Sequence, residues 1–334
     1  MFSKNRKLFF ALIIVTLLCT ILVTGCKKNS NDTENGNNNN NPAERTFRIA
    51  SEHLYNYVGS SWVDDGNISY TYDTNGRLIN ETETNSSGEN MDKTNYVYDS
   101  NGRLSIETSY EWDGNSWEEV EEDSFQLTYD SEGKVTSKTG SSYDEYGDPV
   151  EYRTEYTYDN NGRLTSTSVY EDSEEISRRS FTYDSAGRVT KESYLIDFGG
   201  GNWQEYGKTE YTYDGNGRFT QSLSSMYFFV AWLDVSKTEI TYNTNGKPET
   251  YIFYSYNGSE MEEENKILVT YDGNGKVATG TEYEWNGSNW VESNKSDITY
   301  AAASGVTHPE DFYPDLVRWD IWFYYGAKLN KYEQ

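Results

Sequence analysis

Between residues 46 and 306 apolar and polar positions alternate with period two, in short runs separated by clusters of Asp, Asn, Ser and Gly. Alternation of this kind predicts half-buried β-strands joined by tight turns. The punctuation repeats. YTYDTNGRL begins at Tyr70, YVYDSNGRL at Tyr96, LTYDSEGKV at Leu127, YTYDNNGRL at Tyr156, FTYDSAGRV at Phe181, YTYDGNGRF at Tyr211, ITYNTNGKP at Ile240 and VTYDGNGKV at Val269; a ninth copy, ITYAAASGV at Ile298, has decayed. The turn glycines, from Gly76 to Gly275, are spaced 25 to 31 residues apart, a period near 29 that marks a repeat architecture. In D-x-N-G the Asp side chain bonds neighbouring amides and the Gly supplies positive φ, which predicts a type I turn closed by a glycine bulge. Asp73 and Arg77, with their counterparts, flank the bend and are expected to pair, each pair contributing about 0.2–1 kcal/mol.

Each repeat has a second bend: WDGNSW at Trp112, FGGGNW at Phe198, YNGSEM at Tyr256 and WNGSNW at Trp285. Eight and ten residues beyond Trp62, Trp203, Trp232, Met261 and Trp290 stand large residues, such as Tyr70 and Tyr72 or Ile298 and Tyr300. Even offsets predict that all of these share one strand face. Trp117 reaches Leu127 and Tyr129 with two extra residues, and Leu104, Ile106, Thr108, Tyr110 and Trp112 continue the alternation on the returning strand. The residue between the paired aromatics is Thr in eight of nine copies, from Thr71 to Thr299, with Val97 the exception, and Thr suits an exposed face. The expected fold is all-β: an antiparallel meander of about nine hairpins and roughly eighteen strands, extended as a twisted single layer or coiled, with one aromatic and one polar face. Asp, Glu and Lys along the strands discourage edge pairing.

The ends read differently. Lys4, Arg6 and Lys7 precede an apolar run, Leu8 to Val23, short for a membrane span and suited to a secretory signal. It stops at V-T-G-C, so residues 1–25 read as a signal peptide and Cys26 as the lipidation site. The polar, Asn-rich residues 26–45 read as a disordered tether with a reach of roughly 25 Å. Residues 307–334, rich in aromatics and carrying Pro309 and Pro314, read as a C-terminal cap over the 46–306 repeat domain.

Charge removes partners. The chain has 28 basic and 55 acidic side chains, a net of -27. Such a surface repels nucleic acid and anionic lipid. Hydrophobic content is 35%, yet 31 Tyr and 9 Trp argue against a disordered chain. Catalytic chemistry finds little support. His53 and His308 are the two histidines, neither beside a G-x-S-x-G motif, and Cys19 falls in the apolar run, so neither a triad nor a conventional zinc site is expected. No cofactor is expected. Acidic pairs, as in EEVEED around Glu121, fit a charged strand face better than a glycosidase pair. The D-x-N-G turns resemble half of an EF-hand loop, but with Gly76 at position six, Thr71 and Thr82 occupy positions one and twelve, so a full calcium loop fails; weaker calcium binding stays open. The remaining candidates are Trp112, Trp117, Trp203, Trp285 and Trp290, whose flat rings suit sugars and protein hot spots, or else staple the bends.

V-T-G-C at the end of its apolar run resembles the lipobox of bacterial lipoproteins. The Y-D-x-x-G-R-L letters resemble the YD repeats of RHS-type proteins, which wrap into spiralling β-sheets. The 29-residue unit with its W-x-G-x-x-W bend looks closer to secreted bacterial β-hairpin-repeat lipoproteins, some of them single-layer sheets linked to complex-carbohydrate use. The resemblance covers residues 46–306. It implies a lipid-anchored protein of the outer membrane or cell surface, held to the membrane through Cys26, that binds polysaccharide or an envelope protein without catalysis. A structural spacer or interaction scaffold is the alternative, and a carboxylate-based glycan-cleaving enzyme a third reading.

Overall fold

A computed structural model describes residues 47–143, 149–197 and 200–302. Residues 1–25, 26–45 and 307–334, expected to be a signal peptide, a tether lipidated at Cys26 and a C-terminal cap, lie outside the described residues. Two compact groupings of contacts divide the chain. One, Ser177–Lys266, takes in most of β10 (Glu174–Tyr183), then β11 (Val189–Asp197), β12 (Trp203–Tyr213), β13 (Phe219–Phe228), β14 (Ala231–Tyr242), β15 (Pro248–Tyr256) and the start of β16 (Met261–Tyr271). The other holds β1 (Phe47–Val58), β2 (Ser61–Tyr72), β3 (Leu78–Asn85), β4 (Asn90–Tyr98), β5 (Leu104–Trp112), β6 (Trp117–Tyr129), β7 (Val135–Tyr143), β8 (Pro149–Tyr158), β9 (Leu164–Glu171), β17 (Val277–Trp285) and β18 (Trp290–Ala302).

The described residues are all-β, as expected, and the ladders are antiparallel. The expected open meander, extended as a single layer, is overturned. β1 pairs with β2 on one side, Ser51 opposite Ser69, and with β18 on the other, Phe47 opposite Ala302 through Asn56 opposite Asn294. The 18-stranded sheet therefore closes on itself as an antiparallel β-barrel in its hydrogen bonding. Closure satisfies the outer N–H and C=O groups of the first and last strands, which an open meander would leave unpaired.

The repeat turns have the predicted chemistry. At the first, Gly76 N–H donates to the Asp73 carbonyl (3.1 Å) and Asp73 N–H to the Arg77 carbonyl (2.9 Å), while Gly76 sits at φ +81. One Asp73 oxygen accepts from the Asn75 and Arg77 amides at 2.8 and 2.9 Å, the other from Arg77 Nε at 2.7 Å. The same set recurs at Asp99, Asp159, Asp184 and Asp214. Both oxygens of each Asp thus serve the turn and its Arg, so the D-x-N-G motif is accounted for by hairpin geometry.

The turns are tied to one another through Tyr. Tyr98 Oη donates to the Leu78 carbonyl at 2.7 Å, Tyr129 to Leu104 at 2.5 Å, Tyr213 to Val189 at 2.7 Å and Tyr242 to Phe219 at 2.6 Å. The basic residue of a turn lies over the Tyr of the next repeat: Arg103 is 4.4 Å from the Tyr129 ring, Arg218 4.4 Å from the Tyr242 ring and Lys276 4.9 Å from the Tyr300 ring. The residue after each turn, Leu78, Leu104, Val135, Val189 or Phe219, is buried beneath this lattice. The buried face is not purely apolar. Glu52, Glu81 and Glu192 lie on it, accepting from Tyr70 (2.5 Å), Tyr96 (3.1 Å) and Tyr211 (3.0 Å).

The single aromatic face is a second correction. Strands that lead from the second bend to Y-x-Y carry β-bulges. Leu54 of β1 lies opposite Gly66, but Tyr55 lies opposite Asp64, so Asp65 is an extra residue in β2. Cross-strand partners share a face, and neighbouring residues of an unbulged strand point to opposite faces. Tyr57 and its partner Trp62 therefore face away from Leu54, Ile68 and Tyr70. The same switch occurs between Tyr194, opposite Gly207, and Leu195, opposite Glu205. It occurs again between Glu107, opposite Phe125, and Ser109, opposite Val120, where β6 carries its extra residues. A bulge at Ser105 also parts buried Leu104 from exposed Ile106. The Y-x-Y aromatics lie on the buried face, and the second-bend Trp residues on the exposed face with Thr71, Val97, Thr128 and Thr212.

Candidate binding site

The second bends are built by their first polar residue. The Asp113 carboxylate accepts from the amides of Asn115 (2.6 Å) and Ser116 (2.7 Å), and these two bonds hold it below its ordinary value. The Asn286 side chain does the same for Ser288 (3.1 Å) and Asn289 (2.9 Å). Loops closed in this way bring the flanking rings together across the hairpin. Trp112 and Trp117 meet edge to face at 5.1 Å and 65°, Trp285 and Trp290 at 5.2 Å and 61°. Tyr57 and Trp62 meet likewise at 5.0 Å and 62°. Each such pair is worth about 0.5–1.5 kcal/mol beyond its area. The rings do staple the bends, and they do so from the solvent side of the sheet, half-exposed.

Of the five predicted residues, Trp285 and Trp290 stand beside two that sequence reasoning left out of the site. β17, β18, β1 and β2 are consecutive strands, and their exposed face carries Trp285, Trp290, Tyr57 and Trp62 near the second bends. At the usual spacing of about 4.8 Å per strand this is a strip roughly 14 Å across. Tyr55 extends it along β1, with Lys295 4.5 Å over its ring and 5.7 Å from Trp62, and His53 stacked on it at 4.4 Å. His53 Nε2 lies 3.2 Å from the Asp64 carboxylate. Polar groups edge the strip: Tyr283 lies opposite Glu292 on the same face, and burial, then that Glu292, push its hydroxyl above its ordinary value.

Trp112 and Trp117 form a second aromatic pair on β5 and β6, with Lys93 of β4 4.6 Å over Trp117 and 4.2 Å over Tyr110. Trp203 pairs across the ladder with Asp197 and lies under the Arg178 guanidinium at 4.1 Å. The five residues are thus distributed over three bends rather than gathered at one. The signal that could have found Tyr57 and Trp62 is the Y-x-G-S-S-W spelling of the first hairpin, YVGSSW from Tyr57, which matches the W-x-G-x-x-W letters apart from its leading Tyr. Among the described residues no group of three His, Cys, Asp or Glu is placed to hold a metal ion.

A closed all-β sheet is compatible with an outer-membrane or other envelope location. No protein-family model and no curated protein matches the chain. Solved structures similar to it include TcdB2-TccC3-TEV (14% identity over 70% of this chain and 14% of that one, TM-score 0.37). They also include a porin-like protein from Bacteroides uniformis (11% identity, 76% and 98%, TM-score 0.40). A protein of unknown function from Bacteroides fragilis matches over 37% of this chain and 90% of its own (15% identity, TM-score 0.28). The chain spans about a seventh of the TcdB2–TccC3 chain it matches. Similarity at this level assigns neither family nor activity.

Proposed function

We propose that the chain is a non-enzymatic binding module of the cell envelope, lipid-anchored through Cys26, whose ligand is a complex carbohydrate. The observation that carries this reading is the strip of Trp285, Trp290, Tyr57 and Trp62 on the exposed face of four consecutive strands. Aromatic rings offer sugars an apolar platform, and Lys295, Tyr283 and Glu292 stand on the same face as hydrogen-bonding groups. The strip is shallow and extended, the shape that accommodates a chain rather than a small molecule. The test is a titration of intrinsic Trp fluorescence with a panel of polysaccharides, with and without calcium. A saturable change that Trp290→Ala and Trp62→Ala each weaken at least tenfold supports the reading. A flat response across the panel sinks it.

The edge-to-face geometry favours a second reading, a structural spacer or protein-interaction scaffold in which the rings only hold the bends. Under that reading Trp290→Ala lowers stability and leaves every glycan interaction unaltered.

A further inference from the structure

The hairpin between β13 and β14 departs from every other second bend described. Its turn is Phe229 and Val230, 98% and 86% exposed. Bends with the same job elsewhere use Gly59 and Ser60, Asp172 and Ser173, or Gly200 and Gly201, all small or polar residues at their positive φ. Phe229 instead holds φ +54, and the Val230 N–H donates to the Phe228 carbonyl at 2.5 Å, closing a γ-turn of the rare positive-φ form. The chain thus keeps a strained, bulky, apolar turn in solvent where a relaxed polar one would close the same hairpin. Strain held against an available alternative points to a use for the side chains.

Two further features say what the tip meets. Residues 219–233 contain no charged side chain, fifteen in a row in a chain that is 25% charged. Behind the tip, Tyr227 and Trp232 form an edge-to-face pair at 5.5 Å, 47% and 39% exposed, with Phe228 at 40%. An apolar point with no charge on its own hairpin, then a collar of Tyr and Trp with the Lys208 ammonium 5.4 Å over Trp232, is the order of side chains met on crossing from hydrocarbon to headgroups. A convex two-residue tip offers a protein partner little area, whereas a bilayer asks only for depth.

We infer that Phe229 and Val230 enter the apolar layer of a lipid bilayer, with Tyr227 and Trp232 at headgroup level. The net charge of -27 makes the favoured bilayer zwitterionic rather than anionic. This contact is distinct from any lipid on Cys26 and sets how β13 and β14 stand on the membrane.

The experiment uses the full chain with Cys19→Ser and Cys26→Ser, so that one introduced thiol carries a nitroxide. The label is placed by Val230→Cys at the tip or by Thr244→Cys in the turn beyond the other end of β14. The apolar N-terminal run brings either protein to phosphatidylcholine vesicles, so binding itself does not decide the outcome. Relaxation by dissolved oxygen and by a water-soluble nickel chelate then reports depth. The expected result is a label at 230 several-fold more accessible to oxygen than to nickel on vesicles, water-exposed without them, with the 244 label nickel-accessible throughout. A 230 label that stays nickel-accessible on vesicles overturns the inference. So does one shielded equally without vesicles, which would mean self-association.

Discussion

At the scale of single residues, Phe229 shows how backbone cost and side-chain exposure can be separated. Its left-handed φ costs an L-residue about 1–2 kcal/mol, and at 98% exposure its ring recovers nothing by burial within this chain. Phe229→Gly removes the strain and adds the unfolded-state entropy of Gly, about 0.5–1 kcal/mol, for a net gain of up to about 1 kcal/mol. Phe229→Ala keeps the strained φ and is expected to leave stability unchanged. Chemical denaturation of the two variants checks this; a glycine variant less stable than the alanine one would show that the turn is not strained. Glu192 is the opposite case, a buried carboxylate that accepts from Tyr211 at 3.0 Å and lies 3.7 Å from Arg179. Tyr211→Phe removes one of its donors and is expected to cost about 1–3 kcal/mol, as removing a partner from a buried charged acceptor does.

At the scale of elements, the repeat joins neighbouring hairpins by one tyrosine hydroxyl per turn. Tyr213→Phe deletes the bond to the Val189 carbonyl and keeps the ring under Arg188, at 4.6 Å. The expected loss is about 1 kcal/mol in denaturant unfolding with an unchanged slope. An unaltered midpoint would show that the ring alone makes the link. These elements were legible in the sequence because their information is local. D-x-N-G specifies its own turn through Asp73, Asn75 and Gly76, and Thr between paired aromatics announces the exposed face. The bulges were not legible. Asp65 and Tyr206 are extra residues only relative to a partner strand, and period-two counting from Trp62 to Tyr70 passes over them without a trace. One such residue moved Trp62, Trp203 and Trp290 to the face opposite the one that counting predicts. Closure was hidden for the same reason, since it depends on β1 meeting β18, nearly the full repeat domain away in sequence. The buried Glu residues follow a pattern that only the register exposes. Glu52, Glu81 and Glu192 face Tyr70, Tyr96 and Tyr211, whereas Ser222 and Gly280, at the same step after their turns, stand where the next repeat supplies Ile240 and Ile298.

At the scale of the whole molecule, the lattice of tyrosines and carboxylates fixes how stability depends on pH. Burial opposes ionisation of the turn carboxylates, but the amides and guanidinium of Arg77 and Arg103 outweigh it, and Asp73 and Asp99 are held below their ordinary value of 3.8. Their contribution is present above that value and is lost as pH falls below it. The tyrosines act at the other end. Burial, reinforced by Glu52 and Glu192, raises Tyr70 and Tyr211 well above the ordinary 10.0. Burial likewise pushes Tyr213 up to about 12 despite Arg188, and burial with the Glu239 hydrogen bond pushes Tyr254 up to about 12. The fold favours the neutral phenol, so this stabilisation is complete below pH 10.0 and is lost as pH rises from there through about 12. The protein is therefore expected to keep a stability plateau between the two ranges. Above it, near-ultraviolet tyrosinate absorbance should rise in two phases: exposed tyrosines first, then the buried set in step with loss of the β-sheet circular dichroism. Because closure pairs β1 on both sides, the second phase should be cooperative rather than a strand-by-strand fraying. A single titration near pH 10 with the sheet signal intact would mean that the buried hydroxyls neither resist ionisation nor hold the repeats together.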